Sequence, residues 1–140
     1  NSLSQKVADK RDKNDCIFLI GEIGVGKTTF TRYLINRLQE KNGEKITEVL
    51  SPTFNLLYEY DLKTIKIMHY DLYRIKDEKE LKHLGIFLDK KDTIKIIEWP
   101  QLINIPLPDK LEIHLDYVKN EKEREIKFIG SDRWKFLNEL

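Results

Sequence analysis

The chain has 140 residues, 40% hydrophobic and 35% charged, which is enough for one globule with a buried core and a heavily charged surface. Its 25 basic and 24 acidic residues leave a formal charge of +1, which excludes a global field for gripping nucleic acid or a membrane surface. The longest apolar runs are about five residues against the roughly 18 that a membrane-spanning helix needs, and no stretch reads as a signal peptide.

The first ten residues, with Leu3, Val7 and Ala8 spaced for one face, predict a short helix. Residues 16–20 are all apolar, as in a strand covered on both faces, and the glycine-rich loop 21–27 follows. Phe30, Leu34 and Leu38 recur every four positions, predicting a helix from about Lys27 to Glu40 with Gly43 as its stop. A short strand near 47–50 is expected before Ser51-Pro52-Thr53-Phe54. The β-rich runs 55–61 and 64–70 predict a hairpin. Asp77 and Glu80 fit a capping box for a short helix through Leu84, closed by Gly85. Residues 93–97 predict a strand running into Glu98, and 103–110, with two prolines, a connection. The alternating runs 111–118 and 124–129 predict an antiparallel hairpin, and Ser131 caps a last helix carrying Trp134 and Leu137. No repeat or linker interrupts this order, so the expectation is a single α/β domain over 1–140. Its sheet is mixed parallel and antiparallel, flanked by helices, with a C-terminal β-hairpin. The lone cysteine, Cys16, has no intrachain mate, which fits a reducing, cytoplasmic location and a packing role.

Gly21-Glu22-Ile23-Gly24-Val25-Gly26-Lys27-Thr28 satisfies the P-loop pattern G-x-x-x-x-G-K-[ST]. The glycines let successive backbone N–H groups turn toward one anion, and the helix beginning near Lys27 adds its positive end. Lys27 supplies a mobile charge to β- and γ-phosphates, and the Thr28 hydroxyl can ligate magnesium. Such a loop needs a carboxylate at the end of a neighbouring strand, and Asp71 and Glu98 both stand after apolar strands. Glu98 follows the more regular strand and is favoured for the metal, with Asp71 positioning water; sequence physics alone leaves the assignment open. Ser51 and Thr53 flank Pro52 and offer hydroxyls that can close over a γ-phosphate, or else form an ordinary proline turn. His69, Tyr70 and Tyr73 read as packing and hydrogen-bonding groups, Arg74 as an ion-pair partner, and Trp99 as a core or edge aromatic. His83 and His114 have no metal-ligand spacing with any other His or Cys.

In order and rough spacing, GEIGVGKTTF, SPTF, HYDLYR and EWP resemble the TsaE family (formerly YjeE), a small bacterial ATPase of tRNA threonylcarbamoyladenosine modification. The resemblance runs from the P-loop through the C-terminal hairpin, and the last three motifs are far more specific than the first. It implies ATP and Mg2+ as cofactors, and slow ATP hydrolysis that supports turnover of TsaD- and TsaB-like partners, which carry the tRNA. It further implies that Gly21 through Thr29 bind phosphate, that Thr28 and Glu98 hold magnesium, and that Asp71 and Thr53 serve hydrolysis alongside Lys27. Trp99 would lie near the nucleotide, and Arg124 would approach the adenine or ribose. A further adenine-contacting residue of the family would precede Asn1, and the charged stretch 86–92 departs from the family's aromatic-containing one. A small nucleotide or metabolite kinase is the alternative, but 75–92 lacks a lid-sized, arginine-rich insertion. A GTPase would carry N-K-x-D and D-x-x-G, and neither occurs. A nucleotide-responsive interaction module without significant catalysis is the third reading.

Overall fold

A computed structural model describes residues 16–21, 27–52, 55–86, 92–100, 110–117 and 124–130, with the backbone alone at 117, 124 and 125. Strands β1 (Cys16–Ile20), β2 (Leu57–Asp61), β3 (Lys66–Asp71), β4 (Thr93–Glu98), β5 (Lys110–Tyr117) and β6 (Arg124–Ile129) form one sheet. Their order is β2-β3-β4-β1-β5-β6. The central strands β3, β4, β1 and β5 are parallel, while β2 and β6 pair antiparallel at the two edges. The mixed sheet and the C-terminal hairpin are therefore as the sequence predicts. Burial explains the arrangement: β1 and β4 are buried nearly throughout and occupy the middle, where both faces are covered. Edge strand β2 instead carries Glu59 and Asp61, which pair with Lys66 at 3.3 and 3.7 Å.

Helix α1 (Lys27–Lys41) lies on one face. Its Phe30, Leu34, Ile35 and Leu38 pack against Ile17 and Leu19 of β1, Ile67 of β3, Ile94 and Ile96 of β4, and Ile113 of β5. Each fully buried leucine there contributes about 1.5–3 kcal/mol. Gly43 ends α1 as predicted, at φ +70°, donating to Glu40 O while Glu44 N donates to Gln39 O. The opposite face buries Cys16, Phe18, Met68, Tyr70 and Ile97 beneath helix α2 (Glu78–His83), whose Leu81 is wholly buried. Asp77 caps α2 by accepting from the Lys79 N–H at 3.0 Å, and Gly85 follows it at φ +70°.

The strand expected near 47–50 is absent, since 44–50 adopts no regular structure. The side chain of Gln39 accounts for the difference. Its Nε2 donates to Thr47 Oγ1 at 2.8 Å and its Oε1 accepts from the Thr47 N–H at 3.2 Å, so the Thr47 N–H is met by a side chain and not by a neighbouring strand. The strand at 66–71 takes in Asp71 itself, and that at 93–98 takes in Glu98, one residue further than the sequence indicates in each case. No helix among the described residues is long and apolar enough to cross a membrane. The predicted helices over the first ten residues and from 131 onward, and most of the connection 103–110, lie outside the described residues.

Candidate active site

The parallel strands all end at one edge of the sheet, where crevices in open α/β sheets form. β1 delivers Gly21 there, and α1 starts there with Lys27. Side chains alternate along a strand, so His69 and Asp71 share the α1-covered face of β3 with Ile67, and Glu98 shares that of β4 with Ile94 and Ile96. Asp71 pairs directly with Glu98 in the β3–β4 register, and Leu19 pairs with Glu98 on its other side.

Two carboxylates thus stand side by side at 4% and 2% exposure. Buried carboxylates are sustained only by counter-charge and hydrogen bonds. Lys27, itself 6% exposed, supplies the charge. Burial holds its ammonium below the ordinary lysine pKa of 10.5, and the neighbouring Glu98 and Asp71 carboxylates oppose that lowering. The Lys27 Nζ donates to the Gly21 carbonyl and sits 3.6 Å from the centroid of the Trp99 ring, a cation–π contact. Trp99 occupies left-handed backbone space at φ +58°, which costs a residue of its size about 1–3 kcal/mol. That turn, directly after Glu98, puts the indole against both Lys27 and the Tyr73 ring, the latter 4.8 Å away between centroids.

Hydrogen bonds fix each acid. Asp71 Oδ1 accepts from the Tyr73 N–H at 3.0 Å, and Glu98 Oε2 lies 2.6 Å from His69 Nε2. The structure therefore brings together Gly21, Lys27, Asp71, Glu98 and Trp99. Thr28 is half-buried in the first turn of α1 and Thr29 exposed beside it. Glu22, Ile23, Gly24, Val25, Gly26 and Thr53 lie outside the described residues, as does the side chain of Arg124. The Arg124 backbone pairs with Tyr117 where β6 begins, level with the C-terminal end of β5.

His69 is the hydrogen-bonding group that the sequence predicts, but its partner, Glu98, is not evident from the sequence. The available signal was the spacing His69-x-Asp71, which puts both on one face of a strand beside the one carrying Glu98. Tyr73 is half exposed and packs against Trp99 with the rings tilted by 45°, whereas Tyr70 is a true core residue. Among the described residues no group of three or more His, Cys, Asp or Glu side chains is placed to enclose a metal ion.

Fold and cluster define an α/β protein with a mixed six-stranded sheet and a strand–loop–helix unit facing two buried acids. Residues 1–126 match the family model described as "Threonylcarbamoyl adenosine biosynthesis protein TsaE", and the chain belongs to that family. Proteins named tRNA threonylcarbamoyladenosine biosynthesis protein TsaE are similar to it in Rickettsia conorii and Bacillus subtilis. The former is 36% identical over 86% of this chain and 67% of the relative, the latter 34% over 89% and 76%. The crystal structure of Bacillus subtilis YdiB superposes with a TM-score of 0.69 at 27% identity, covering 99% of this chain and 83% of that one.

Proposed function

We propose that the chain binds and hydrolyses ATP in the biosynthesis of threonylcarbamoyladenosine on tRNA, supporting turnover of TsaD- and TsaB-like partners. The observation that carries this reading is the convergence of Lys27, Asp71 and Glu98 at the end of a strand–glycine loop–helix unit. Lys27 would bind the β- and γ-phosphates with the backbone N–H groups of Gly21 to Thr29, where its partly dehydrated charge attracts phosphate more strongly than in water. Thr28 and Glu98 would hold magnesium. One hydroxyl and one carboxylate suit that ion, which takes one or two protein ligands and completes its shell with phosphate oxygens and water. When bound, magnesium neutralises charge on the β- and γ-phosphates.

Asp71, its rotamer fixed by the Tyr73 N–H, is the group that would orient the attacking water, with Thr53 closing from the segment after α1. Water adds to the γ-phosphorus and the bond to the β–γ bridging oxygen breaks, giving ADP and inorganic phosphate. Trp99 would shield the phosphates from solvent, and Arg124 would serve the adenine or ribose. With a net charge of +1 the chain relies on its partners for tRNA.

Calorimetric titration of Lys27→Ala with Mg-ATP tests the reading. Loss of one charged donor set lowers affinity by about 10- to 100-fold or more. Wild-type affinity in the variant would remove the phosphate-binding role.

A further inference from the structure

His69 is wholly buried on the α1-covered face of β3, two residues before Asp71. Its Nε2 meets Glu98 Oε2 at 2.6 Å, while Nδ1 is buried without a hydrogen-bond partner. Its neighbours on that face include Ile67 along the strand and Ile96 across it, both wholly buried. A residue kept there only to fill space would be apolar too, because an orphaned buried nitrogen is destabilising. What the imidazole adds over an apolar ring is one polar contact, Nε2 to Glu98 Oε2.

A glutamate side chain has three rotatable bonds, and carboxylates that ligate metals are held by outer hydrogen bonds. A carboxylate only accepts, so a bond that holds Glu98 as a metal-ready carboxylate needs the ring's hydrogen on Nε2. The bond engages Oε2, and Oε1 makes no hydrogen bond among the described residues.

We propose that His69 is a positioning residue, donating its Nε2–H to Glu98 Oε2 so that Oε1 is presented to the magnesium of a bound nucleotide. The inference rests on the nucleotide reading above and deepens it: Asp71 and His69, from one face of one strand, divide the work between water and metal ligand.

The test titrates Mn2+ into the ADP complex of the full chain, following free ion by electron paramagnetic resonance, for wild type, His69→Leu and His69→Gln. ADP affinity in EDTA is measured in parallel. His69→Leu weakens Mn2+ binding by about 10- to 100-fold and leaves metal-free ADP affinity unchanged, and His69→Gln, with an amide N–H in place of Nε2–H, recovers most of the loss. Wild-type Mn2+ affinity in His69→Leu, or equal losses with and without metal, would overturn the proposal. Should His69→Leu not fold, nitrogen-15 spectra of wild-type His69 with Mg-ADP decide: hydrogen on Nε2 supports the assignment, hydrogen on Nδ1 refutes it. Wild-type protein whose ADP affinity is unaltered by divalent metal also overturns the proposal, whereas wild-type protein that binds no ADP with or without metal refutes the nucleotide reading itself, an outcome separate from the others.

Discussion

Glu98 and Asp71 are chemically alike, equally buried and paired across one strand boundary, so their roles are separated by what holds each of them. Asp71 is fixed by a backbone N–H of its own turn, and Glu98 by a side chain from the neighbouring strand. Glu98→Ala is expected to raise the Mg2+ concentration needed for half-maximal ATP binding by about tenfold or more. Asp71→Asn is expected to keep binding and to lower the hydrolysis rate by about 10²–10⁴-fold. Magnesium titrations and single-turnover assays check both, and a reversed pattern would exchange the two assignments. The acids are legible in the sequence because a charge after an apolar strand stands out in one dimension, and Lys27 because it closes a glycine-rich pattern. The His69–Glu98 contact is not, because it depends on the β3–β4 register, and 29 residues separate the partners.

Among the elements, α1 and α2 are the most legible, since their caps are local: Gly43 and Gly85 stand at φ +70°, where a side chain is strained, and Asp77 bonds two residues ahead. The strand expected near 47–50 does not form, and the Gln39 side chain that holds Thr47 instead is a contact no periodicity shows. Strand β3 carries its own stability signature in Tyr70, whose hydroxyl donates to Leu84 O at 3.0 Å under α2. Burial pushes the Tyr70 phenol far above the ordinary value of 10.0. A phenol whose folded pKa is raised contributes stability that is intact below its unfolded pKa and is lost as pH climbs above it. Tyr70→Phe should therefore cost about 1 kcal/mol near neutral pH, through the lost hydrogen bond. It should also make the decline in stability above about pH 10 shallower, though not flat, because burial raises the Tyr60 phenol as well. Urea denaturation at both pH values checks this, and an unchanged alkaline slope would contradict it.

For the whole molecule, the balance of 25 basic and 24 acidic residues is the property that most limits what the chain does alone. It leaves little long-range attraction for tRNA, so the consequence of the proposed ATP hydrolysis is expected to fall on partner proteins. Reconstitution with TsaD- and TsaB-like proteins should show repeated rounds of tRNA modification only when this chain and ATP are both present. Lys27→Ala should permit at most a single round. Multiple turnovers without the chain would defeat that expectation, and fast phosphorylation of a small metabolite by the chain alone would point to a kinase.

The place of β4, between β3 and β1, has a consequence for how such a protein can diverge. Adjacent strands lie about 4.8 Å apart, so the sheet acts as a ruler that sets the spacing from the end of β1 to Glu98 and on to Asp71. Surface connections can lengthen, shorten or change charge to suit a new partner, and the marks on that ruler stay where they are.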